Sequence, residues 1–235
     1  MVDTLLRDDS KELRVVLSET KDPAVNLSLE AQLFELVERE EISNTLLFYV
    51  DSPSLVRGRT KSPAYGWYNE ELAQRLGISV YSRITGGGVV YHDTGNLNWC
   101  FIIRVKECFL SPKKVFEEGS KYIVKSLNKL GLKACYSPPN RIDLDNSKIS
   151  GMAAHSSTKT LLVHGTLLIN TDLNLLNRLC IPPPSCPKVT NISEYIPIQL
   201  EDALNSIIDT LVEAGFKPKL VGQGSNESTK NTTTP

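Results

Sequence analysis

Residues 83–96, RITGGGVVYHDTGN, bring an arginine, three consecutive glycines, a histidine, an aspartate and an asparagine into one short stretch. Gly86, Gly87 and Gly88 make a backbone that tolerates positive φ and lets a ligand approach with no Cβ in the way. Successive exposed amides in such a turn form a concavity for an anion, phosphate or carboxylate. Arg83, just before the turn, offers a forked donor set that matches either anion. Val89, Val90, Tyr91, His92, Asp93 and Asn96 follow at once. A plain hairpin needs only one or two glycines at fixed turn positions, so this spacing reads as a ligand loop.

Two more stretches could serve the same cleft. In SKISGMA, strand geometry would put Lys148 and Ser150 on one face and Ile149 on the other, with the ammonium free to point at the glycine loop. An isolated lysine beside a tight turn is more often a solvated one, so Lys148 gains weight only from its company. In VHGTLLIN, His164, Gly165 and Thr166 interrupt an apolar strand. A histidine there is more often a satisfied core residue than a catalyst, while Gly165 marks a bulge or a close backbone approach.

The elements that must position these groups alternate between helix and strand. Residues 13–17 read as an edge strand, and Asn26 or Ser28 as the cap of a helix carrying Leu29, Leu33, Phe34, Leu36 and Val37 on one face. Residues 45–50 and 54–59 read as strands, 66–76 as a helix stopped by Gly77, and 78–84 as the strand entering the glycine loop. NWCFIIRV, residues 98–105, leaves the loop as a strand with alternating faces. Ser111-Pro112 starts a long helix that Gly131 ends, with Val115, Phe116, Ile123, Leu127 and Leu130 as its buried stripe. LKACY, a hairpin turning at Asp145-Asn146, the strand 160–170, a helix from Asp172 and a last helix over 198–215 complete the pattern. The expected fold is an α/β (α+β) mixture with a central mixed, largely antiparallel sheet flanked by helices. It comprises one domain over residues 1–217 and a disordered polar tail over 218–235.

Composition narrows the function classes. With 26 basic against 27 acidic residues the net charge is −1, so nothing points to nucleic acid as a partner. No apolar run approaches a membrane span, and the N-terminus MVDTLLRDDSKELR lacks a signal-peptide pattern. Five cysteines, an odd number with no C-x-x-C pair, suit reduced thiols in the cytoplasm. Three scattered histidines, His92, His155 and His164, make no histidine-rich metal site, and no metal is assigned to protein side chains.

Taken together, RITGGGVVYHDTGNLNWCF, KISGMAAH and HGTLLINTDL resemble the lipoate–protein ligase family, within the larger group that includes biotin–protein ligases. DPAVNLSLEAQLF, LVRGR at 55–59 and KVTNISE at 188–194 extend the match to roughly residues 20–215. The resemblance implies a catalytic domain related to class II aminoacyl-tRNA synthetases and a two-step reaction. ATP and lipoate would give lipoyl-adenylate, which a lysine of a lipoyl-carrier protein would attack. That carrier would be the glycine-cleavage H protein or the E2 lipoyl domain of a 2-oxoacid dehydrogenase.

By the same resemblance Arg83, Gly88, Val89, Val90, Tyr91, Asp93 and Asn96 would hold ATP and the adenylate, with Mg²⁺ on the phosphates. Lys148 would bridge the lipoyl carboxylate and the phosphate. Gly86, Gly87, His92, His164 and Gly165 would line the lipoate slot. The chain departs from the family at Thr60-Lys61-Ser62, where a Gln-Asn pair is usual, and at Asn140-Arg141-Ile142, where many members have Asn-Asp-Ile. It also ends before a C-terminal accessory domain could fit, so a separate accessory protein is an expected partner. Two rivals share the fold: an octanoyl or lipoyl transferase working through a Cys135 thioester, and a lipoate-binding module without catalysis. Biotin ligase is weaker, because only Arg57-Gly58-Arg59 represents its arginine-rich adenylate loop.

Overall fold

The computed structural model describes residues 11–60, 66–106, 111–184 and 186–222. Lys61, Ser62 and the tail from residue 223 lie outside the described residues. Among the described residues thirteen strands run in chain order, of which eight form the main sheet, ordered β13-β1-β2-β7-β11-β10-β9-β8. These are β1 (Glu12–Leu17), β2 (Thr45–Tyr49), β7 (Asn96–Arg104), β8 (Ala134–Ser137), β9 (Arg141–Leu144), β10 (Ser147–Ser156), β11 (Thr160–Leu168) and β13 (Lys217–Val221). β1 runs parallel to both β13 and β2, and every other pair in this sheet is antiparallel. The expected sheet type is therefore found. Two expectations need correction: residues 13–17 are not an edge strand, and the polar tail does not begin at 218. Lys217–Val221 is a strand that covers the free side of β1.

Why β7 is buried on both faces follows from what packs on each side. Trp99, Phe101 and Ile103 point toward α3 (Pro112–Lys129) and α5 (Leu200–Glu213), where Ile123, Leu127, Ile207 and Leu211 meet them in one core. Cys100 and Ile102 point the other way, toward Leu33, Phe34 and Val37 of α1 (Pro23–Glu38). Alternation remains in the backbone, but helices cover both faces, so no outward polar set appears in the sequence.

Helix α3 begins as expected, with Ser111 accepting from the Lys114 amide and Pro112 at the first position. Helix α1 starts earlier than Asn26: Asp22 is its cap, accepting from Ala24 N at 2.8 Å, and Pro23 sits in the first turn. Its acidic C-terminal end, unfavourable for the helix dipole, is met by cations, with Lys159 on Glu40 at 3.1 Å.

A smaller unit carries the glycine loop. β3 (Ser54–Arg57) pairs in parallel with β5 (Ser79–Ser82) and antiparallel with β6 (Val89–His92). The helix expected over 66–76 covers only α2 (Glu70–Arg75), capped by Asn69, because β4 (Trp67–Tyr68) pairs with β12 (Cys180–Ile181) just before it. α2 and α4 (Leu173–Leu179) pack with Leu55 and Tyr91 into a satellite core. No helix among the described residues is long and apolar enough to cross a membrane.

Gly165 resolves in favour of close approach rather than a bulge. It lies opposite Trp99 in unbroken register, and a Cβ built there would sit 2.7 Å from the indole Cζ2. The wholly buried Trp99 ring occupies that space. Gly165→Ala should cost about 1–3 kcal/mol by overpacking. The measurement is a urea titration, where the midpoint should fall at unchanged slope. An unmoved midpoint would show that Trp99 repacks freely.

Candidate functional site

The glycine loop is held by the arginine that precedes it. Arg83 is 6% exposed, and its guanidinium donates from Nε to Thr85 Oγ1 at 2.8 Å and from Nη1 to the Val56 carbonyl at 2.9 Å. Nη2 donates to the carbonyls of Gly86 at 2.8 Å and Gly88 at 3.0 Å. The fork expected to grip a phosphate is thus committed to the loop's own backbone. Gly58 completes the clamp from β3: its amide donates to Gly88 O at 3.1 Å, and a Cβ there would lie 2.3 Å from Gly87 O. Only a residue without a side chain fits this crossing.

From Thr85 the hydrogen bonds continue into the main sheet. Thr85 Oγ1 lies 2.9 Å from His164 Nε2, and His164 Nδ1 lies 2.9 Å from Glu30 Oε2 on α1. Burial by itself would push the Glu30 carboxyl up. Its contacts with His164 and the Cys100 thiol, with Arg83 nearby, hold it below the usual carboxylate range. Burial, followed by the charge on Glu30, pushes the Cys100 thiol well up, so it stays protonated and unreactive. Glu30, Cys100 and His164 offer three ligand atoms within 4.8 Å, and they are already bonded to one another. His92 is fixed in the same way, with Nδ1 2.7 Å from Asp51 Oδ2 and Asp51 Oδ1 accepting from Asn26 Nδ2 at 2.7 Å. Asn26, read from the sequence as a helix cap, is instead a buried tie between α1 and this histidine.

Two adjoining cavities, each of about 300 Å³, open beside these groups. The floor of the first is a row across the sheet, Tyr49, Asn98 and Thr166, in direct register on β2, β7 and β11. Gly87, Gly88, His92, His164 and Gly165 line it, together with Leu27, Arg141 and Met152. The second is bounded by Tyr91, Leu176, Ile181 and Lys188. Val89, Val90, Lys148 and Gly151 line both. Lys148 therefore stands where the two spaces meet.

The backbone at Lys148 departs from regular strand geometry. Register with β9 shifts between Lys148 and Ser150, and Lys148, opposite Asp143 on β9, also bridges in parallel to Val189 of the connector. Its amide donates to Lys188 O at 2.8 Å and its carbonyl accepts from Thr190 N at 3.1 Å. The expectation that Lys148 and Ser150 share a face is corrected accordingly. Nζ stands over Gly151, 2.9 Å from where a Cβ would be, while Ser150 is fully buried and lines neither cavity. Among the described residues, no hydrogen bond or ion pair engages the Lys148 ammonium.

Three expected ligand residues stand elsewhere. Gly86 lines neither cavity and gives its carbonyl to Arg83. Asp93 accepts from the amides of Gly95 at 2.9 Å and Asp172 at 2.8 Å, which spends both carboxylate oxygens on a turn and a helix start. Asn96 donates to Tyr91 O and accepts from Thr171 Oγ1, each at 3.0 Å, and is fully buried. Arg141, at one of the departures from the family, faces the first cavity, paired with Asp143 through Nε at 2.9 Å. Cys186, passed over in favour of Cys135, lines both cavities, whereas Cys135 is exposed on the edge strand β8 and lines neither. Among the described residues neither cavity has a carboxylate in its wall, and those residues present cations to a ligand.

Comparison with known proteins agrees with this architecture. A lipoate–protein ligase of Staphylococcus aureus is 32% identical over 202 residues, covering 81% of this chain and 60% of that protein. Lipoate-protein ligase LplJ of Bacillus subtilis is 34% identical over 153 residues, 65% of this chain and 44% of that one. The chain thus spans well under two thirds of the length of these relatives. Among solved structures, a lipoate-protein ligase A bound with ATP superposes with a TM-score of 0.76 at 24% identity over 90% of both chains. A bi-partite lipoate protein ligase from Thermoplasma acidophilum gives 0.75 at 24% identity, covering 90% of this chain and 88% of that one. These structural likenesses establish the fold. Residues 22–212 match the lipoyl protein ligase A/B catalytic domain, and the chain belongs to that family.

Proposed function

We propose that this chain carries the catalytic site of an ATP-dependent lipoate–protein ligase. The observation that carries the reading is Lys148. Its ammonium is unengaged by the described residues, lies at the boundary of two cavities and sits in a cleft to which no described carboxylate contributes. Two anions must meet in this reaction. An oxygen of the lipoyl carboxylate attacks the α-phosphorus of ATP, the bond to pyrophosphate breaks, and a mixed anhydride results. A carrier lysine then attacks the acyl carbon, AMP leaves, and the amine gives up its proton.

The acid fits the first cavity, between the glycine loop and the Tyr49–Asn98–Thr166 floor. The nucleotide fits the second, against Val89, Val90 and Tyr91. Lys148 would touch the reacting carboxylate and phosphate, with Arg141 as a further cation on the first cavity. Preorganised charge in a closed cleft stabilises such a transition state better than water does. Arg83 acts through the loop it fastens, as a positioning residue. Mg²⁺ would enter on the nucleotide's own phosphates, since no carboxylate among the described residues lines the cavities, and no step is assigned to it.

The acceptor in this reading is a lipoyl-carrier protein, either the H protein or an E2 lipoyl domain, and the setting is cytoplasmic. None of the described cysteines is paired. A separate accessory protein is part of the proposal, supported by the bi-partite form of the Thermoplasma ligase. Adding cell extract to the purified chain tests it: extract should raise lipoylation of a carrier domain, and an unchanged rate would remove the accessory protein from the reading.

Lys148→Ala should keep the fold and lose lipoyl-adenylate formation by a factor on the order of 10²–10³. Pyrophosphate release with lipoate and ATP measures this, and near-normal release from the folded variant would overturn the mechanism. The thioester alternative requires an activated thiol by the lysine, and the geometry moves that question from Cys135 to Cys186. Cys135→Ser and Cys186→Ser should both retain ATP-dependent lipoylation. Loss of transfer in either, with an acyl group found on that cysteine in the parent protein, would make the chain a transferase.

A further inference from the structure

One polar side chain in the first cavity has nothing to bond. Asn98 is 1% exposed and lines the cavity, and neither its amide nitrogen nor its oxygen has a partner among the described residues. Its in-register neighbours do not supply one, and the Tyr49 hydroxyl is turned toward Glu30 Oε2 at 3.4 Å. Leaving a carboxamide unpaired in the middle of a sheet costs stability, and a buried polar group that persists this way is one a ligand can complete.

Its place along the cavity says which part of the ligand that is. Lys148 Nζ stands over Gly151 of β10, and β11 separates β10 from β7. Asn98 is therefore two strand spacings from the lysine's strand, about 10 Å. An extended eight-carbon acid with its carboxylate at Lys148 spans a similar length and would bring its last carbons over Asn98. Both ring nitrogens of His164 are engaged, and His92 Nδ1 is held by Asp51.

We propose that Asn98 is a specificity-determining residue, its amide N–H donating to a sulfur of the dithiolane ring, so that the site prefers lipoate to octanoate. The inference rests on the ligase reading and deepens it. Sulfur is a weak acceptor, but a plain hydrocarbon tail offers none and leaves the amide unpaired in a closed pocket.

The test is calorimetric binding of lipoate and octanoate, separately, to the parent chain and to Asn98→Leu, which keeps the volume and removes the amide. The parent should bind lipoate more tightly by roughly tenfold, the effect of one unpaired polar group. In Asn98→Leu the two affinities should converge, with octanoate gaining. Its thermal midpoint should be equal or higher, because the free protein loses an unsatisfied group. If the leucine variant does not fold, Asn98→Ala, which also lacks a donor, makes the same comparison. A preference unchanged in the folded variant, or an equal loss for both acids, would overturn the role of Asn98 and leave the ligase reading standing. Binding of neither acid by the parent would overturn both.

Discussion

A buried guanidinium with several bonds to the main chain is the constraint on which this site depends. Arg83 cannot be taken out of water cheaply, and only full use of its donors offsets that cost. It finds those acceptors in the carbonyls of Val56, Gly86 and Gly88 and in the Thr85 hydroxyl. The loop is thereby given one shape before any ligand arrives. Because Thr85 also meets His164, which meets Glu30, the small sheet bearing the loop is locked to the main sheet and to α1 by a continuous hydrogen-bond chain. Preorganisation of this kind matters most where charges must be brought together without help from solvent.

How much of this was legible in the chain depends on the range over which each feature is encoded. The glycine triple, the helix start at Ser111-Pro112 and the turn at Asp145-Asn146 are local, and all three stand where the sequence places them. Lys148 is at the cavities, but its face could not be read from alternation, since a register shift and a pairing with a connector forty residues on break the two-residue period. Arg83, Asp93 and Asn96 were recognisable as polar and clustered. Sequence cannot say whether such groups turn to a ligand or to the backbone, and here all three turn to the protein.

The cavity floor was the least visible part. Tyr49, Asn98 and Thr166 come from three distant segments and become a row only through the order and register of β2, β7 and β11. Thr166 stood out only as part of an interrupted apolar strand, and nothing in FYVD or LNWC marks Tyr49 or Asn98 as its neighbours in a row. Glu30 was hidden for a related reason. On an amphipathic helix it passes for an exposed acid, yet it is 1% exposed and holds the histidine beneath the loop.

The pairing of β13 with β1 has a bearing on how the protein is made. These are the first and last strands of the described chain, joined side by side in parallel. As the polypeptide leaves the ribosome, β1 can find β2 early, but its other side, with the amides and carbonyls of Leu13 and Val15, must wait until β13 has been synthesised. Through that interval the nascent sheet presents an open, apolar margin of the kind on which foreign strands nucleate. Vectorial synthesis thus gives this domain a late closing step, and the burden of keeping the margin solitary until then falls on the pace of translation and on whatever shields the emerging chain.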